Sequence, residues 1–131
     1  MRELKRNLDG FETDLEGMIC AEFLEDKDKK KPAEFIYEDD DVVAFKDINP
    51  QAPVHILIVP RKRIPKLTAA DESDAAILGK IVIVARQIAK DFGLDEDGFR
   101  LLMNEGKNGG QTIYHLHFHL LGGRRLMWPP G

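Results

Sequence analysis

The chain has 131 residues, of which 43% are hydrophobic and 32% charged, and this composition is typical of one globular domain and excludes general disorder. Its formal net charge is −4, so it lacks the basic surface that holds a phosphate backbone, and we predict no nucleic-acid partner. The one cysteine, Cys20, excludes an internal disulfide and a cysteine-rich zinc site. With no apolar run long enough for a bilayer and no secretory signal, the sequence predicts no membrane partner and a cytoplasmic location, with the nucleus as the alternative.

The N-terminal part of the chain begins with polar segments. Residues 1–17 are predicted to form a polar arm that precedes a single domain at residues 18–131. A charged run at residues 25–31 predicts a solvated loop. Two β-prone runs, residues 35–37 and 42–45, then surround an acidic turn, and this pattern is typical of a hairpin.

Four further elements follow in chain order. Residues 54–59 are β-branched and apolar on both faces, which predicts a central strand. A helix start signal at residues 68–71 precedes apolar residues at helical spacing, and Gly93 stands where a C-terminal cap is expected. Residues 99–103 and 114–121 predict two more strands. The sum is an α+β fold, in which an antiparallel meander packs against one long helix.

The last predicted strand carries three of the four histidines. Because side chains alternate along a strand, His115, His117 and His119 are predicted to share one face, with about 7 Å between neighbouring backbone positions. The fourth histidine, His55, lies on the predicted central strand, on a face that it shares with apolar residues. A lone histidine on such a face is usually a hydrogen-bonded core residue, but a central strand could place it beside the histidine row.

Three interpretations of the histidine row stay open on the residues alone. The row is a solvated polar face, or a metal site, since alternate histidines suit zinc although the segment offers no further Cys, Asp or Glu ligand. Alternatively it performs catalysis at a phosphorus centre, because a neutral imidazole is a competent nucleophile near pH 7. The preceding residues 109–112 favour the third interpretation, since glycines let backbone N–H groups approach an anion and an amide and a hydroxyl follow them.

The same segment resembles a known family. Residues 115–121 read His-φ-His-φ-His-φ-φ, where φ is apolar, and they match the motif of the histidine triad family at every position. The similarity runs from about residue 36 to residue 131 and includes the Trp-Pro-Pro-Gly ending. On these segments the chain resembles the branch of histidine triad nucleotide-binding proteins, the Hint phosphoramidases. The resemblance implies a five-stranded antiparallel sheet and one long helix per subunit, with the sheet continued across a homodimer.

The resemblance also implies an activity, the hydrolysis of purine nucleoside 5′-phosphoramidates, and a site that binds a purine nucleoside monophosphate or phosphoramidate. By position, His117 would attack the α-phosphorus, His119 would donate to a phosphate oxygen, and His55 and His115 would orient the site. The implied substrate-binding residues are Phe45, Asp47 and Ile48 at the base and sugar, Asn104, Gly110, Gln111 and Thr112 at the phosphate and leaving group, and Trp128 near the partner subunit's site.

No cofactor and no metal is expected. Some bacterial relatives carry a Cys-x-x-Cys zinc pair, whereas Cys20 stands alone here with Phe23 at the partner position. Two alternatives to the phosphoramidase remain. One is a nucleotide-binding sensor or scaffold with vestigial hydrolysis, and the other is a dinucleoside polyphosphate hydrolase, against which the Trp-Pro-Pro-Gly ending argues.

Overall fold

The computed structural model describes residues 34–131 together with Ile19 and Phe23. Its strands are β1 (Phe35–Glu38), β2 (Val42–Lys46), β3 (Val54–Pro60), β4 (Phe99–Met103) and β5 (Phe118–Gly122). Its helices are α1 (Ala75–Asp91), α2 (Leu94–Asp97) and α3 (Gly106–Gly109), with 3₁₀ turns at Leu67–Ala69 and Glu72–Asp74. The predicted arm and the charged run at residues 25–31 lie outside the described residues. No helix in this part of the chain combines the length and the apolar character that a membrane crossing requires.

The described strands form one five-stranded sheet, and all their pairings are antiparallel. This confirms the predicted fold class, an antiparallel sheet with one long helix. The sheet has a core on each face because its side chains alternate. One face packs against α1 through residues that include Ile56, Ile58, Leu120, Ile81, Val84 and Ile88. The opposite face packs against Ile19 and Phe23 through Val43, Phe45, Leu57 and Val59.

The N-terminal hairpin and the central strand are confirmed. Strands β1 and β2 pair across the acidic turn, where the Asp39 carboxylate accepts hydrogen bonds from the N–H groups of Asp41 and Val42. The turn is therefore acidic because a carboxylate closes it. Strand β3 lies between β2 and β5 and is buried from His55 to Pro60.

The predicted meander is wrong in its strand order, which is β1-β2-β3-β5-β4. The chain crosses from β3 through α1 to the sheet edge, and β5 then fills the gap between β3 and β4. Burial explains the placement, since Leu120 of β5 is fully buried whereas no residue of β4 is. An apolar strand gains most from an interior position, where both of its edges and both of its faces are covered.

The long helix begins at Ala75, later than its predicted start at residues 68–71. Thr68 lies in a 3₁₀ turn and bonds to the Glu105 carboxylate through both its hydroxyl and its N–H. The capping box is formed instead by Asp71 and Asp74 in the second 3₁₀ turn. The Asp71 carboxylate accepts the N–H of Ser73, and the Asp74 carboxylate accepts the N–H of Asp71. Gly93 is confirmed as the C-terminal cap, with a left-handed φ of +73°.

The last strand also begins later than predicted, at Phe118 rather than at residue 114. Strands β3 and β5 pair Ile58 with Phe118, so a longer strand would place Pro60 opposite Leu116. Proline has no N–H to donate to that pairing. The N–H of Leu116 instead donates to the carbonyl of Ile64. His115 and His117 therefore precede the strand, and alternation along a strand does not determine where their rings lie.

Candidate active site

A cavity of about 480 Å³ opens on the sheet face opposite α1, and this volume suits a small ligand. Three of the four histidines line it. Its full lining is Phe23, Asp47, Ile48, Asn49, Gln51, His55, Leu57, Gly110, Thr112, Ile113, His117 and His119. A second cavity of about 660 Å³ has no histidine in its wall.

The cavity brings together seven of the residues proposed from the sequence. They are His55, His117, His119, Asp47, Ile48, Gly110 and Thr112. Phe45, His115 and Gln111 are buried beside or beneath it, and neither Asn104 nor Trp128 is part of its wall. The sequence did not predict Gln51, which is the most important further residue of the wall. Its position in the turn before the central strand could have indicated it.

The ring of His117 is held in one tautomer. Its Nδ1 lies 2.7 Å from the carbonyl oxygen of His115, and a carbonyl only accepts, so Nδ1 carries the proton. Nε2 of the neutral ring therefore keeps a free lone pair. Burial lowers the pKa of His117, which maintains the neutral form at pH 7. The ring packs edge-on against Phe23, with 5.0 Å between ring centroids. This arrangement presents a nucleophilic nitrogen.

His55 and His119 form a hydrogen-bonded relay whose direction is also determined. The backbone N–H of Gln51 donates to Nδ1 of His55, so the proton of the neutral His55 ring is on Nε2. That Nε2–H donates to Nδ1 of His119 over 3.0 Å. Nε2 of His119 therefore carries a proton and is a donor. The relay forms because β3 and β5 place these two rings diagonally, with Leu57 opposite His119.

Burial sets the charge of this relay. Burial, together with the neighbouring His117 and His55, lowers the pKa of His119 to about 4 against an opposing effect of Asp47. Burial also lowers the pKa of His55, which Asp47 partly opposes from 3.4 Å. The Asp47 carboxylate also accepts the N–H of Asn49, which fixes its position. Both rings are therefore neutral near pH 7, as the tautomer assignment requires.

The ring of His115 does not lie in the histidine row that alternation predicted. It is 1% exposed, and its Nε2–H donates to the carbonyl of Pro60 at the end of β3. Its Nδ1 is buried without a hydrogen-bond partner among the described residues. Burial accordingly lowers the pKa of His115 to about 4. His115 acts on the site through its backbone carbonyl, which orients His117.

The glycine-rich loop, residues 105–112, is held in place by the side chain of Gln111. The amide oxygen of Gln111 accepts a hydrogen bond from the N–H of Gly106, and its amide nitrogen donates to the carbonyls of Pro65 and Ile113. The N–H groups of Gly110 and Gln111 close the turn by donating to carbonyls within the loop. The loop therefore presents Thr112 to the cavity, while the Gln111 side chain positions the loop.

Three groups at the relay end of the cavity offer ligand atoms for a metal. Asp47, His55 and His119 each contribute one such atom, and these atoms lie within 4.8 Å of one another. Two imidazoles and one carboxylate suit a divalent transition metal. The rings of His55 and His119 already bond to each other in the relay.

Acidification is expected to destabilise the fold through these rings. His115 and His119 have pKa values of about 4 in the folded protein, against an ordinary value of 6.5. Between these values the unfolded chain binds more protons than the folded chain, so the free energy of unfolding falls as the pH falls from 6.5 towards 4. The Asp39 carboxyl, with a pKa of about 2, titrates below this range. Urea unfolding at about pH 7.5 and about pH 5 measures the effect, and equal free energies would contradict it.

The chain is similar to known proteins in both sequence and fold. The HIT domain family matches residues 28–126. An uncharacterized HIT-like protein of Synechocystis is 53% identical over 100 residues, which cover 76% of this chain and 87% of that protein. The crystal structure of a HIT family hydrolase from Legionella pneumophila is 45% identical with a TM-score of 0.76, and the match covers 79% of this chain and 93% of that one. A histidine triad nucleotide-binding protein from Candida albicans is 27% identical with a TM-score of 0.66, covering 86% and 82%. The chain belongs to the HIT domain family.

Proposed function

We propose that the protein hydrolyses the P–N bond of purine nucleoside 5′-phosphoramidates and releases a nucleoside monophosphate and an amine. The observation that carries this proposal is that two histidines in one cavity differ in the protonation of Nε2. Nε2 of His117 has a free lone pair, while Nε2 of His119 carries a proton, because backbone groups determine both tautomers. A nucleophile beside a hydrogen-bond donor is what attack on a phosphorus centre needs. The HIT family hydrolase among the similar structures supports the hydrolase class.

The reaction proceeds in two displacements. Nε2 of His117 attacks the α-phosphorus, a new N–P bond forms, and the bond to the amine breaks as the amine takes up a proton from solution. The Nδ1–H of His117 continues to donate to the carbonyl of His115, which stabilises the imidazolium character of the intermediate. Water then adds its hydroxyl to phosphorus, returns a proton to solution and frees His117. Throughout, the Nε2–H of His119 donates to a non-bridging phosphate oxygen.

The remaining wall residues define the substrate pocket. Asp47 accepts the ribose hydroxyls, and Ile48, which is 41% exposed, offers apolar surface to the sugar and base. Gly110 and Thr112, which also line the cavity, contact the phosphate and the leaving amine. Asn104 provides a further contact to the phosphate and the leaving amine.

We further propose a homodimer, with the sheet continued through β4. Strand β4 lies at the sheet edge, and such an edge offers unpaired backbone groups for a second chain. Trp128 is 78% exposed, which suits a contact with the partner subunit's cavity. Light scattering should give about twice the 14.9 kDa mass of one chain, and a monomer would contradict this assembly.

The experiment that tests the activity compares two substrates with the wild-type protein. Adenosine 5′-phosphoramidate should be hydrolysed at a much higher kcat/KM than diadenosine tetraphosphate. The reverse order would favour the dinucleoside polyphosphate hydrolase. Tight binding of AMP without turnover of either substrate would favour a nucleotide sensor or scaffold. The lone cysteine supports a cytoplasmic location for either function.

A further inference from the structure

We infer that Arg124 is a positioning residue for the histidine relay, because it holds the backbone segment whose N–H selects the tautomer of His55. The inference deepens the proposed function, and only the kinetic part of its test rests on that function. Arg124 follows β5, the strand that carries His119, and Gln51 precedes β3, the strand that carries His55.

The guanidinium of Arg124 clamps the carbonyl of Gln51. Its Nη2 and Nε both donate to that oxygen, at 2.8 Å and 3.1 Å, and its Nη1 donates to the carbonyl of Arg125 at 2.9 Å. All three donors point in directions that the planar group fixes, so the clamp defines orientation as well as distance. The side-chain amide nitrogen of Gln51 donates to the carbonyl of Asn49, two residues earlier, and so does not link it to a distant segment.

A second, independent contact brings the same two segments together. Gly123 has a left-handed φ of +91°, and a Cβ added to it would lie 2.9 Å from Cβ of Pro53. The turn after β5 therefore packs against the loop before β3 at a separation that a side chain would prevent. The close approach of Gly123 and the clamp of Arg124 together determine where Gln51 lies.

The consequence follows from the direction of each hydrogen bond. The carbonyl and the N–H of Gln51 stand on either side of one Cα, so holding the carbonyl holds the N–H against Nδ1 of His55. Without that N–H, only the Asp47 carboxylate, 3.4 Å from Nε2 of His55, still favours a proton on Nε2, so His55 also populates the tautomer with its proton on Nδ1. Its Nε2 would then accept from His119, and the proton of His119 would move to Nδ1. Nε2 of His119 would lose the proton with which it donates to phosphate.

The test compares Arg124→Gln with Arg125→Gln, since both remove one charge from neighbouring exposed arginines. The side chain of Arg125 makes no hydrogen bond or ion pair with any described residue, so this variant is a matched control. Two-bond proton–nitrogen NMR of the ligand-free protein at neutral pH identifies the tautomer of each histidine. Wild type and Arg125→Gln should both show His119 protonated at Nε2. Arg124→Gln should show a mixture of His119 protonated at Nε2 and His119 protonated at Nδ1.

The kinetic readout uses adenosine 5′-phosphoramidate. We expect kcat to fall about tenfold in Arg124→Gln with little change in KM, because a smaller fraction of the protein then carries a proton on Nε2 of His119. Arg124→Lys keeps the charge without the planar fork and should be intermediate in both readouts, and it also serves if Arg124→Gln does not fold.

The outcomes separate the two proposals. A folded Arg124 variant with wild-type tautomers and a kcat equal to that of Arg125→Gln overturns the positioning role. A wild-type protein that turns over no phosphoramidate overturns the proposed function, and the NMR comparison still decides the role of Arg124.

Discussion

A His117→Ala variant is expected to lose at least about a thousandfold of kcat on adenosine 5′-phosphoramidate, as removal of a covalent nucleophile does in other enzymes. The reason is local, because His117 is the histidine whose Nε2 keeps a free lone pair while Nδ1 is held by the His115 carbonyl. The relay of His55 and His119 does not depend on His117 for its hydrogen bonds, so AMP binding should persist. Steady-state kinetics measures the first effect and calorimetry the second.

A trapping experiment completes this prediction. Intact-mass analysis of rapidly quenched wild type should reveal a nucleotidyl adduct, and the adduct should be absent from His117→Ala. The Arg125→Gln variant, whose altered side chain lies outside the cavity wall, is the control and should retain the adduct. Undiminished turnover by His117→Ala would remove His117 as the nucleophile.

A Phe45→Ala variant is expected to lower the free energy of unfolding by about 3–5 kcal/mol, the usual cost of deleting a buried phenylalanine. Family resemblance suggested a role for Phe45 at the base and sugar, but its side chain is fully buried and is not part of the cavity wall. Its ring packs against Phe23 and Phe35, with centroid separations of 5.7 Å and 6.3 Å. Urea denaturation measures the loss.

Phe92→Ala provides the control, because Phe92 is 38% exposed at the end of α1. Its cost should be about 1–2 kcal/mol, since a partly exposed ring gives up less buried area than a fully buried one. If Phe45→Ala cost no more than Phe92→Ala but weakened nucleotide binding, Phe45 would belong to the cavity wall after all.

The sequence predicted the parts of this molecule that depend on local pattern. A β-branched run apolar on both faces identified β3, and helical spacing identified α1. The sequence also indicated that His55 could lie close to the other histidines, because a central strand has neighbouring strands on both sides. These features follow from burial, and the spacing of apolar residues along the sequence predicts which residues are buried.

The parts that sequence reasoning missed depend on contacts between distant segments. The start of β5 is set by Pro60, which lies opposite Leu116 only once the two strands are in register. The tautomer of His55 is set by the backbone N–H of Gln51. Nearly every residue type has such a group, so the sequence does not indicate this contact. The family resemblance implied that Gln111 contacts the substrate, and the sequence did not predict that its side-chain amide bonds to Gly106, Pro65 and Ile113.

The division of the core between two sheet faces has a practical consequence for engineering. Helix α1 covers one face, whereas the cavity and all of its histidines belong to the opposite side. Thermostabilising changes beneath α1 should therefore leave the cavity histidines in place, and we expect a weaker compromise between stability and activity on that side. Changes around Phe23 touch the ring of His117 directly, so that layer is the place to tune reactivity.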